Sequence, residues 1–189
     1  MNRRSLIASI GLAVAMAACT TTNPNAGGAD PAQKRASIDA NVAGAMTKLY
    51  TQEPSARELV RKARGVLVFP AVVSAGFVVG GSYGQGALIT GGATTGYYST
   101  AAASVGLLAG ADSKAVYILF MTQDSLDKFR NSKGWTAGVD VNVSALKAGA
   151  NAGVDTQTAT QPVLSYVLTN TGLMANLSID GTKVTKLDL

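Results

Sequence analysis

Along "SIDANVAGAMTKLY" the apolar positions Ile38, Val42, Met46 or Ala45, and Leu49 recur at helical spacing, with Ser37 as the N-cap. A second helix is predicted over "PSARELVRKARG", where Ser55 and Glu58 have the spacing of a capping box and Gly65 ends the run. Beyond Gly65 the period shortens. Runs such as "VLVFP", "SAGFVVGGSYGQGALIT", "TGYYST", "SVGLLAG" and "KAVYILFMT" read as strands, and the last, uncharged after Lys114, fits a strand buried on both faces. One more helix is expected over "TQDSLDKFRNSKG", with Leu126 and Phe129 on its inner side. After Trp135, Val139, Val141 and Val143 alternate with Asp140 and Asn142, which predicts a hairpin; a final strand pair is expected around the turn signal "DGT". Short β runs joined by glycine turns predict an α+β fold: N-terminal helices, then a mostly antiparallel, twisted sheet with one further helix.

The N-terminus has a different grammar. Two arginines precede an uncharged, mostly apolar run from Leu6 to Ala18, too short to span a bilayer, and this reads as a secretion signal. The ending "AMAAC" resembles the lipobox of bacterial lipoproteins, with Met16 in place of the commoner leucine; that resemblance implies acylation of Cys19 and removal of residues 1–18. A plain signal peptide is the alternative. Cys19 is the sole cysteine, so no internal disulfide can form. Thr20, not aspartate, follows it, and the lipoprotein sorting rule then implies the periplasmic face of the outer membrane. Residues 19–35 are polar, with proline and glycine, and read as the lipidated cysteine and a flexible tether with a root-mean-square span of roughly 20 Å. Residues 36–189 form the expected domain.

Composition removes several classes of function. The formal charge of +5 includes Arg3 and Arg4 of the leader, and aromatic residues make up only 6% of the chain, so a nucleic-acid partner is not expected. Gly80-Gly81-Ser82-Tyr83-Gly84 fits G-x-S-x-G, the nucleophile elbow of serine hydrolases, but the chain has no histidine to activate Ser82. "SLDK" at Ser125 to Lys128 matches S-x-x-K, yet the companion motifs are missing. Strand signal follows the glycines, where an elbow or a phosphate loop would open a helix, so no enzyme, metal or cofactor is expected.

The ordered set "ARELVRKARGVLVFPAVVSAGFVVGGSYGQGAL", "GYYST", "AVYILFMTQDSLDKF", "AGVDVNVSA" and "SYVLTNTGLMANLSIDGTKV" resembles the SYLF family of lipid-binding domains. Tyr98 and Ala101 depart from that family's Trp-Ser-x-Pro. The resemblance implies a non-enzymatic module that binds anionic phospholipid, phosphoinositides in eukaryotes, through basic residues around an N-terminal amphipathic helix. Its actin binding belongs to eukaryotic members and is not expected here. Lys48, Arg57, Arg61, Lys62 and Arg64 are the headgroup candidates, with Arg57, Arg61 and Arg64 spaced to share a helix face. An ordinary solvated face with a Glu58–Lys62 pair is the plain alternative. Phe77, Tyr83 and Tyr98 are the apolar candidates for lipid contact, although burial base rates put Phe69, Phe77 and Tyr83 in the core. A module docking another envelope protein is the second functional reading, and a Ser82 hydrolase the third.

Overall fold

The computed structural model describes residues 30–76, 79–105, 110–146, 161–169, 172–173 and 179–189. The leader, Cys19, most of the tether and Phe77 lie outside the described residues. Helix α1 spans Pro31–Gln52, so it begins inside the expected tether and ahead of Ser37. The start signal is "DP": proline is favoured in the first turn because its missing N–H has no intrahelical acceptor there. Ile38, Val42, Ala45 and Leu49 form its buried stripe, which settles the Met46 or Ala45 alternative in favour of Ala45.

Helix α2, Ala56–Lys62, is held by Ala56 and Leu59. Its capping box does not form. Ser55 is itself helical (φ −64°, ψ −25°), and its hydroxyl donates to Glu53 while its oxygen accepts no backbone N–H of the first turn. Gly65 does not end the helix either; Ala63 does, in an extended conformation, and Gly65 opens the first strand.

The strands are β1 Gly65–Gly76, β2 Val79–Thr90, β3 Ala93–Val105 and β4 Gly110–Phe120, then β5 Trp135–Thr136, β6 Ser144–Ala145, β7 Val163–Thr169, β8 Gly172–Leu173 and β9 Lys183–Leu187. Helix α3, Gln123–Asn131, follows β4, and its N-cap Thr122 accepts the Ser125 N–H at 3.2 Å. The strands join in the order β5-β9-β3-β2-β1-β4-β7-β6, with β8 added on β7. Pairings are antiparallel except β6 with β7. The α+β expectation holds.

Three local expectations fail for physical reasons. "VLVFP" and "SAG" belong to one strand, because β1 passes Pro70 through an irregularity where the register shifts against both neighbours. Proline lacks the N–H of a regular central strand, so a bulge is where it can sit. The valine alternation after Trp135 is no hairpin: Asp140 N–H donates to Thr136 O at 3.0 Å, which makes a turn, and Val139 is 77% exposed. The "DGT" turn exists, with Gly181 at φ 77°, but β7 and β9 lie on opposite sides of the sheet and do not pair.

Both faces of the central strands are covered. Val66, Val68, Ala115, Tyr117, Leu119, Leu164 and Leu168 face α1 and α2, whereas Leu67, Phe69, Val116, Ile118, Phe120 and Val167 face the other way, toward α3. On that second side the sheet curls. Five ladders separate β4 from β5, about 24 Å in a flat sheet, yet the Phe120 and Trp135 rings stand 6.1 Å apart. Phe129 of α3 fills the angle, 4.8 Å from Phe120, 4.9 Å from Tyr98 and 5.6 Å from Trp135. Where the curl is sharp the strands need glycine: a Cβ on Gly86 would lie 1.9 Å from Val68 O.

Gly86→Ala should therefore destabilise the fold by about 3 kcal/mol, the upper range for overpacking, measured by chemical denaturation. Gly44, inside α1 with nothing within 4 Å of its would-be Cβ, should behave oppositely: Gly44→Ala should stabilise by about 1 kcal/mol through helix propensity.

Candidate functional site

The five basic residues singled out from the sequence do not form one surface. On α2, Arg57 lies over the Tyr50 ring, 4.5 Å from its centroid. Lys62 pairs with Glu58 at 2.6 Å, as the solvated-face reading anticipates, and that hydrogen bond holds the Glu58 carboxyl below its ordinary range. Arg64 is off the helix altogether, because the chain turns extended at Ala63, and the Arg64 N–H donates to Phe120 O at 2.8 Å. The expected common face of Arg57, Arg61 and Arg64 is thus corrected. Arg61 and Arg64 instead border a recess with Met46, Tyr50, Val60 and Ile89.

Lys48 belongs to a different place. It lies along α1, its ammonium donating to Thr169 O at 3.5 Å, and lines a groove of about 590 Å³ between α1 and strands β1, β2 and β4. Lys34 lines the same groove, Lys114 borders both it and the opposite face of the sheet, and no carboxylate is among the described lining residues. Lys34 and Lys48 are fourteen residues apart with Asn41 midway; seven residues are close to two helical turns, so all three lie on one stripe of α1. Burial pushes the Lys114 ammonium below its ordinary pKa, against the pull of Asp112.

The groove has an apolar lip. Val73 and Tyr83 are paired across β1 and β2 and are 50% and 52% exposed. Among the described residues, Tyr83 is therefore the apolar candidate on the surface, contrary to the burial base rate, with its hydroxyl accepting from Gln85 Nε2 at 2.8 Å. Tyr98 is corrected: it is buried against Phe129 in the aromatic cluster. Phe69 is core, as expected. Ser82 lies within β2, opposite Ser74 on β1 and Ala102 on β3, so it occupies a strand and not a strand-to-helix elbow.

Three hydrogen bonds fix α1 over the groove. Asp39 accepts from Tyr97 OH at 2.8 Å and Thr94 Oγ1 at 2.9 Å, tying the helix to β3. Tyr117, fully buried on β4, donates to Ala45 O at 2.8 Å from beneath. Among the described residues no group of three metal-ligating side chains occurs, and no helix is long and apolar enough to cross a membrane.

A family model described as Ysc84, Las17-binding protein actin regulator, matches residues 101–188. The matched segment runs from the middle of β3 through β9, so it includes Lys114 and α3 but neither α1 nor α2. No curated protein matches the chain.

Burial pushes the phenols of Tyr117 and Tyr166 up to about 12 from 10.0. Because the unfolded chain releases these protons first, stability that is complete below the unfolded value should fall as pH rises from 10 toward 12. Alkaline denaturation followed by circular dichroism should show that loss, and Tyr117→Phe should reduce it while costing about 1 kcal/mol at neutral pH for the hydrogen bond to Ala45.

Proposed function

For a chain that matches the SYLF/Ysc84 family over residues 101–188, a family of lipid-binding or actin-regulatory modules, we propose an envelope lipoprotein whose domain binds anionic phospholipid and performs no catalysis. The observation that carries the reading is the groove beside α1: Lys34 and Lys48 on one helix stripe, no carboxylate among the described lining residues, and the exposed pair Val73 and Tyr83 at its lip. Such a site offers a phosphate headgroup opposite charge and gives the adjoining acyl region an apolar surface. The exposed α2 cations Arg57, Arg61 and Lys62, with Arg64 just beyond the helix, supply a second contact with the bilayer. Acylation of Cys19 would hold the domain within tether length of the outer membrane's periplasmic face. A catalytic role for Ser82 has no support in a chain without histidine.

The family description names a protein partner, which favours a second reading: an envelope protein docks on the same basic face. Vesicles separate the two. In the full chain carrying Cys19→Ser, the pair Lys34→Glu and Lys48→Glu should lower affinity for phosphatidylglycerol vesicles at least about 30-fold, from about 1 kcal/mol per lost cation before the added repulsion. Salt should weaken wild-type binding too, since the contact is screened beyond roughly 8 Å. Unchanged binding in the folded pair variant removes the groove as the headgroup site. If reversing Arg57, Arg61 and Arg64 to glutamate abolishes binding while the lysine pair has no effect, the headgroup is met at α2.

The anchor is tested separately. Cys19→Ser should release the protein from the membrane fraction after a high-salt wash, because buried acyl methylenes contribute about 0.8 kcal/mol each. Retention at wild-type level would remove the lipoprotein assignment.

A further inference from the structure

The concave side of the curled sheet is filled at one end and open at the other. Near α3 it is packed with Leu67, Leu88, Tyr98, Phe120, Phe129 and Trp135. Toward the far ends of the same strands the cross-strand rows run Asp112–Ser74–Ser82–Ala102 and Lys114–Val72–Gly84–Thr100. No large aromatic or leucine stands in either row. The result is a trough of about 450 Å³ with Phe69, Val116, Ile118, Trp135 and Ile179 in its walls. Protein interiors otherwise fill such space with side chains, and mostly apolar concavities of this size are characteristic of small-molecule sites.

A separate observation points to a ligand. Thr100 lines the trough and is only 3% exposed, so its hydroxyl stands as a donor in an otherwise largely apolar wall. The charges around the trough are Lys114, Asp112 and Asp180, one cation against two carboxylates, which disfavours an anionic end group and suits an uncharged acceptor.

We infer that this trough takes one acyl chain of an esterified lipid, with the ester carbonyl accepting from the Thr100 hydroxyl and the methylenes lying against Phe69, Val116, Ile118 and Trp135. For its ligand class the inference rests on the lipid-binding reading, but the site is on the opposite face of the sheet from the lysine groove. A headgroup held in the groove and a chain held in the trough are separable events.

Trp135 is the chain's sole tryptophan, so contact with a brominated chain is read directly as quenching. The probe is phosphatidylcholine with dibrominated stearoyl chains, presented as vesicles to the full chain carrying Cys19→Ser; free dibromostearate is the second arm. The ester lipid should quench Trp135 saturably, and Ser82→Leu, which places a larger side chain in the trough, should abolish quenching. Thr100→Val keeps the shape and should weaken the ester lipid about fivefold, the equivalent of one ordinary hydrogen bond, and it serves if Ser82→Leu does not fold. The Lys34→Glu, Lys48→Glu pair should leave quenching by this zwitterionic lipid intact, so failure of the groove and failure of the trough are told apart. No quenching by the ester lipid, undiminished quenching in a folded Ser82→Leu protein, equal affinity in Thr100→Val, or quenching by the free acid alone would each overturn the assignment.

Discussion

The contact between Trp135 and the Phe120–Phe129 pair governs this fold. It joins the last short strand at one edge of the sheet to a strand five ladders away, and it can form only if everything between them bends. Aromatic pairs at these separations add about 1 kcal/mol each beyond the area they bury, and Tyr98 extends the cluster onto β3. The requirement for glycine follows from the bend. Gly86 stands where the Val68 carbonyl comes closest, and a Cβ on Gly84 would lie 2.8 Å from Ala71 O. Within the glycine-rich text that mimics a nucleophile elbow, Gly84 is thus explained by sheet curvature.

Helix α1 does on the convex face what α3 does on the concave one, with a difference that matters for function. Helix α3 is sealed into the aromatic cluster by Leu126 and Phe129. Helix α1 is longer than the surface it covers: its stripe from Ile38 to Leu49 is buried, but along the neighbouring stripe Lys34, Asn41 and Lys48 look into a groove. Polar ties from Asp39 and Tyr117 set the helix at a fixed distance from the strands. The groove is therefore a product of helix placement, and its charge comes from residues outside the buried stripe of α1.

Much of the architecture was legible because period and burial coincide. The run Ala115–Phe120 is apolar on both parities and is buried throughout, and α3 carries its inner residues where helical spacing puts them. What failed was chemistry that depends on partners far along the chain. Ser55 and Glu58 have capping-box spacing, but Glu53 and Lys62 are stronger local partners and take them both. Arg64 has the right interval from Arg61, yet the chain leaves the helix at Ala63 to pair with β4, and an interval is meaningful only while the helix lasts. Lys34 was overlooked for the converse reason: with the helix begun at Ser37 it lay in the tether, whereas a helix begun at Pro31 puts it in register with Lys48.

Pro70 has a further implication. In an unbroken strand, successive residues alternate between faces, so Val68 toward the helices would demand Val72 toward the helices as well. The extra residue at Phe69–Ala71 reverses that parity: beyond it Val72 points into the trough and Val73 onto the groove lip, while β2 and β4 continue without interruption. The bulge is a phase inverter between the packed half of β1 and its outlying half. Deleting a single residue there would leave composition and hydropathy almost untouched, yet it would transpose inside and outside for the whole distal segment of the strand. Insertions and deletions at this point are thus frame-shifts in three dimensions, and homologous strands that lack the proline can carry the same two surfaces only if they keep the same odd count.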